Sequence, residues 1–116
     1  MIKFYGYSKC DTCRKAKKYF EQNNISFEDL DITLIPPPKS LLKSCLKKGY
    51  DIKDLFNKSG ELYRLFNMKE KIGTLSQDEL LNLLAKHGKL IKRPFVSDGD
   101  NFSIGFKPEI YKKIWR

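Results

Sequence analysis

The sequence predicts an α/β fold: a β-α-β unit, a block of helices, then a β-β-α unit. Three observations carry this. An aromatic-rich run, a helix-periodic run and a second apolar run follow one another in the first 32 residues. A triple proline then breaks regular structure and gives way to helical spacing. Finally, a cluster of turn residues separates two apolar runs just before a proline-initiated helix.

Ile2 to Tyr7 reads as the first strand. From Asp11 to Gln22, Cys13, Ala16 and Phe20 recur at helical spacing, with Arg14, Lys15, Lys17 and Lys18 mostly elsewhere. Asn23-Asn24 closes that helix, and Ile25 to Ile32 reads as a second strand, parallel to the first across a right-handed crossover. Pro36-Pro37-Pro38 stops regular structure, because proline fixes φ and lacks an N–H donor. Beyond it, Leu41, Leu42, Cys45 and Leu46 share one helical face, and Ile52, Leu55 and Phe56 suggest a short helix. Ser59 is the expected cap of a helix carrying Leu62, Tyr63, Leu65 and Phe66. Ser76 to Glu79 has the capping-box pattern ahead of Leu80, Leu83 and Leu84, and Gly88 is the expected left-handed stop. Lys89 to Ser97 reads as a third strand interrupted by Pro94, Asp98 to Asn101 as a turn, and Phe102 to Phe106 as its antiparallel return. Lys107-Pro108-Glu109 opens a last helix that runs to Arg116. The expectation is one domain over residues 1–116, with a helical insertion at about 39–88.

At 116 residues, with 41% hydrophobic and 13% aromatic residues, the chain suits a folded globule rather than a disordered one. No apolar run approaches the ~20 residues that span a bilayer, and the first residues lack the pattern of a secretory signal. A monomer in a cytoplasmic, reducing compartment is therefore expected, with no membrane partner. Three cysteines do not make a disulfide scaffold there, so a close pair points to redox or metal chemistry. The net charge of +9 is spread along the chain and interleaved with acids. Solvated helix faces are expected rather than direct nucleic-acid binding.

The chemistry centres on Cys10 and Cys13 in C-x-x-C spacing. A zinc site needs four ligands, and the remaining candidates, Cys45 and His87, have no partner at ligand spacing, so no metal is expected. Cys10 falls where a strand hands over to a helix. There the free N–H groups and the helix dipole favour an anion, here a thiolate nucleophile. Lys9 and Arg14 act in the same sense, and Asp11 opposes them. Cys13, one turn on, shares the face of Ala16 and Phe20. It suits a partly buried resolving thiol, the alternative being a small apolar residue packed under the helix. Pro94 stands at the start of a strand, where a cis Arg93–Pro94 bond would bring backbone towards the thiol and aim Arg93 at an oxyanion or carboxylate. An ordinary surface arginine before an edge-strand proline is the alternative.

Taken together, "FYGYSKCDTCRKAKKYFEQNNISFE", "ITLIPPPKSLL", "LFNKSGELYRLFNM", "LLAKHGKLIKRPFV" and "VSDGDNFSIGFKPE" resemble the arsenate reductase (ArsC)-like, Spx/MgsR family over essentially the whole chain. The resemblance implies a thioredoxin-like, four-stranded mixed sheet flanked by helices, with Cys10 reactive, Pro94 cis and Arg93 anion-binding. It implies no bound cofactor; glutathione, another thiol or a glutaredoxin-like protein would supply electrons. The two further arginines of arsenate-reducing relatives are replaced here by Asn57 and Lys107. Lysine keeps a charge but loses the planar fork, and asparagine loses the charge, so arsenate is expected to be a poor substrate. Spx-type regulators carry the same C-x-x-C as a redox switch and bind the RNA polymerase α subunit. That resemblance implies a second function class, an interaction protein rather than an enzyme.

Overall fold

A computed structural model describes residues 1–116. Its sheet has the order β2-β1-β3-β4, built from β1 (Lys3–Gly6), β2 (Glu28–Asp31), β3 (Phe95–Ser97) and β4 (Phe102–Ile104). The helices are α1 (Asp11–Gln22), α2 (Lys39–Lys47), α3 (Glu61–Leu65), α4 (Met68–Thr74), α5 (Gln77–Lys86) and α6 (Pro108–Ile114). β1 pairs in parallel with β2 and antiparallel with β3, and β3 pairs antiparallel with β4. This is the thioredoxin-like mixed sheet that the resemblance implied.

Alternation along the strands sends side chains to two separate cores. Tyr5, Phe95 and Phe102 meet the helical block, where Leu42, Cys45, Leu55, Met68, Leu80, Leu81 and Leu84 are buried. Phe4 and Val96 point the other way, onto α1 and α6. That second core is aromatic, and its centre is Phe20, whose ring lies 6.1 Å from that of Phe4, 5.6 Å from Tyr111 and 6.3 Å from Trp115. Such pairs add about 0.5–1.5 kcal/mol each beyond simple area burial, so they hold α1 firmly on the sheet. The buried Trp115 indole donates to Ser103 Oγ at 2.9 Å, tying the end of α6 to β4.

Most elements form for the reasons visible in the sequence. α1 begins and ends as its periodicity requires, with Asn24 in the left-handed region beyond it (φ 55°). Ser76 and Glu79 make both bonds of the capping box at the start of α5. In the β3–β4 turn, the Asp98 carboxylate accepts from the backbone N–H of Asp100 and Asn101, which holds it below the usual carboxylate range despite partial burial.

Four details depart from expectation. The third strand does not begin at Lys89: Gly88–Leu90 is a 3-10 turn and only Phe95–Ser97 joins the sheet. Leu90 and Ile91 are apolar because they are buried under the helical block, with Ile91 bridging Phe56 outside the sheet. Gly88 is not a left-handed stop. It is glycine because a Cβ there would fall 1.8 Å from the Ile32 carbonyl oxygen, so backbone packs on backbone. Ser59 does not cap α3; Gly60 holds that position without a side-chain bond, and Leu65 is 74% exposed. Finally, α4 follows α3 after a break at Asn67 (φ 53°), and nothing in its short sequence announced it.

Candidate active site

At the C-terminal end of β1 the chain turns tightly, and the Cys10 N–H donates to the Tyr7 carbonyl at 3.2 Å. Cys10 thereby becomes the N-cap of α1. Its Sγ accepts from the Cys13 N–H at 3.3 Å, while its carbonyl accepts from Arg14 N–H at 3.1 Å. A sulfur thus occupies the place usually taken by a serine or aspartate oxygen, where the first-turn N–H groups and the helix dipole favour negative charge. Asp11, the acid beside it, is paired with Arg14 at the exposed surface.

Two other segments are brought to this helix start. The Arg93–Pro94 peptide is cis, and the Pro94 carbonyl accepts from Gly105 N–H at 3.0 Å. The Lys92 N–H donates to Leu55 O and the Asn57 N–H to Leu90 O, both at 2.8 Å, flanking the Phe56–Ile91 bridge. These bonds place residues 57–60, 92–93 and 104–107 around Cys10, and an open cavity of about 470 Å³ lies between them. Cys10, Asn57, Arg93 and Lys107, singled out from the sequence, all line it. Cys45 and His87 lie elsewhere: Cys45 in the core under α2, His87 against the Phe66 ring at 5.0 Å.

Sequence reasoning missed Lys92, Thr12, Ser59 and Gly60, which also line the cavity. Lys92 changes the electrostatics. With Arg93 and Lys107 it makes three cations and no carboxylate on the walls, and none of the three is in an ion pair. Arg93 is half-buried, with its guanidinium carbon 5.5 Å from the centre of the Tyr7 ring, a cation–π contact that steadies it.

Cys13 lies beneath Cys10 and is 1% exposed. Gly6 lies against it, and a Cβ there would fall 2.5 Å from the Phe4 ring, so the ring rather than the thiol calls for glycine. Burial pushes the Cys13 thiol up to about 12, and its hydrogen bond to Cys10 and the Cys10 charge add to this, while the Tyr7 backbone and Arg93 oppose it. Cys13 is therefore held as a neutral thiol beside the Cys10 sulfur, which accepts its backbone N–H.

With this geometry in place, the comparisons decide the family. The ArsC family model matches residues 5–114, from the middle of β1 to the end of α6. This chain belongs to the ArsC family. Among its relatives, the uncharacterised Bacillus subtilis protein YusI is 45% identical over 98% of both chains. The Bacillus subtilis regulatory protein MgsR is 27% identical, over 92% of this chain and 84% of its own. A crystal structure of a possible arsenate reductase from Streptococcus mutans superposes with a TM-score of 0.89 at 39% identity, covering 97% of this chain and 98% of the other.

Proposed function

We propose that this ArsC-family protein is a cytoplasmic thiol–disulfide oxidoreductase that uses Cys10 as nucleophile on an anionic substrate. The observation that carries the reading is a single one: the N-cap sulfur of α1 opens into a cavity walled by three unpaired cations and no acid.

The Cys10 thiolate attacks one sulfur of a substrate disulfide. The substrate S–S bond breaks, a mixed disulfide forms on Cys10, and the leaving thiolate takes a proton from water. This first step alters Cys13. Once bonded to substrate, Cys10 carries no charge and its sulfur is a poor acceptor, so two of the influences that keep Cys13 protonated disappear. Burial remains, opposed by Arg93 and the Tyr7 backbone. Cys13 then loses its proton to water and attacks Cys10 Sγ, and the second substrate thiol leaves. The Cys10–Cys13 disulfide is returned to the dithiol by two electrons and two protons from glutathione, another thiol or a glutaredoxin-like donor. Arsenate fits less well. Asn57 and Lys107 leave Arg93 as the one guanidinium on the walls, and a planar fork is what grips an oxyanion through two bonds.

The test is disulfide exchange with Cys10→Ser beside the wild type, together with alkylation of Cys10 by iodoacetamide below pH 7. Exchange should vanish in the variant, and wild-type Cys10 should alkylate faster than a free model thiol. Exchange that survives the substitution, or alkylation no faster than the model thiol, sinks the reading.

A second reading has one observation in its favour: MgsR, a relative across nearly the whole chain, is named as a regulatory protein. Under it the Cys10–Cys13 couple is a redox switch and the partner is the C-terminal domain of the RNA polymerase α subunit. Pull-down with that domain under reducing and oxidising conditions decides, since absence of binding in both states removes it.

A further inference from the structure

A second groove, of about 240 Å³, adjoins the Cys10 cavity and shares three of its walls, Lys92, Ile104 and Lys107. Its lining also includes Asp54, which belongs to the 3-10 turn Ile52–Leu55 and is not part of the Cys10 cavity. The placement is fixed by backbone, because Leu55, next to Asp54, accepts the Lys92 N–H at 2.8 Å.

The polar groups of this groove divide into two classes. Its hydroxyls are already engaged: Tyr50 donates to the Phe102 carbonyl at 2.7 Å, Tyr111 donates to the Gly105 carbonyl at 3.0 Å, and Ser103 accepts the Trp115 indole N–H. The charged groups are not. Neither Lys92 nor Lys107 nor Asp54 has an ion-pair partner. The groove therefore offers two ammonium groups that it shares with the Cys10 cavity and one carboxylate that the Cys10 cavity lacks. That pattern is complementary to a zwitterion. An α-carboxylate would meet Lys92 and Lys107, and an α-ammonium would meet Asp54. The volume equals about eight waters at roughly 30 Å³ each, room for one small amino acid.

We propose that this groove seats the α-amino-carboxylate end of a low-molecular-weight disulfide whose sulfur meets Cys10, and that Lys92 and Asp54 select for it. The proposal rests on the thiol–disulfide reading above and adds no new chemical step. It names what hangs from the sulfur that Cys10 attacks. Being polar and partly open, the groove discriminates modestly, as exposed charge pairs do.

The experiment measures oxidation of the full-length dithiol protein by cystine and by the neutral bis(2-hydroxyethyl) disulfide, using mass spectrometry. Wild type should prefer cystine, and the cystine-to-neutral rate ratio should fall about five-fold in Lys92→Met and in Asp54→Asn. Cystamine, which keeps the amine but lacks the carboxylate, should lose sensitivity to Lys92→Met. An unchanged ratio in both variants overturns the groove assignment while leaving the oxidoreductase reading intact. Oxidation by neither of these disulfides nor by the anionic oxidised glutathione removes the oxidoreductase reading, and a non-reactive probe then judges the groove alone. S-methylcysteine should shift the amide NMR signals of Ile104 and Ile110 in wild type but not in Asp54→Asn. Absence of those shifts in wild type overturns the proposal.

Discussion

Cys13 and Cys45 sit on opposite sides of the sheet, each on the inward face of a helix, and burial pushes both thiols up to about 12. For Cys45 burial is the whole cause. Cys13 has burial first, then a hydrogen bond to a second sulfur and two opposing influences, the Tyr7 backbone and Arg93. Cys45 is held inert by its surroundings, whereas the state of Cys13 depends on what has happened to Cys10. Two thiols with the same titration behaviour at rest thus differ in whether chemistry next door can change it. In a candidate site, the causes of a perturbed pKa carry more than its size.

The sharpest way to break this comparison is to remove each thiol in turn. Cys13→Ala should leave the attack by Cys10 in place but stop at the mixed disulfide. It should release a single equivalent of substrate thiol where the wild type releases two. Intact-mass detection of the trapped adduct checks this, and release of both equivalents would show that Cys13 is packing only.

A smaller effect is expected from Arg93→Gln. Arg93 lowers the Cys13 pKa, so removing its charge raises it further. The thiolate fraction of Cys13 grows with pH, about ten-fold per pH unit while pH lies below its pKa, so release of the second thiol should speed up as pH rises. In the variant that profile should move to higher pH, slowing release at a fixed pH by about three-fold. Stopped-flow release of a chromogenic thiol between pH 6 and 9 reads the displacement. Coincident profiles would mean that Arg93 serves substrate binding alone.

Cys45→Ala should do least. Loss of one buried sulfur is expected to cost about 1 kcal/mol in denaturant unfolding, as small core truncations do, with both steps of exchange unaltered. A change in exchange would place Cys45 in the chemistry and dissolve the contrast.

How far these features could be read from the sequence depends on whether a local pattern encodes them. α1 was legible because Cys13, Ala16 and Phe20 lie on one buried stripe, and the capping box of α5 because its bonds span only three residues. Cys10 and the Arg93–Pro94 pair stood out because few residue types occupy such positions without cause. Leu90 and Ile91 misled, since a short buried apolar run reads alike whether it pairs in a sheet or lies under helices. Lys92 was invisible for a different reason. Among 23 lysines and arginines nothing local marks the one whose backbone is bonded across to Leu55 beside the active thiol. Only the three-dimensional pairing reveals it, and the same pairing reveals Asp54.

That pairing also has an engineering consequence. The bonds between residues 55–57 and 90–92 close a neck, and everything from Gly60 to Gly88 loops out beyond it and returns. A chain tied off in this way can be recomposed at exposed positions of its far end, such as Leu65 on α3, while Met68, Leu80, Leu81 and Leu84 keep filling the core and Lys92, Arg93 and Asn57 stay in register with Cys10. The outer face of this segment is thereby free to vary, while its inner face stays bound to the sheet through Tyr5, Phe95 and Phe102.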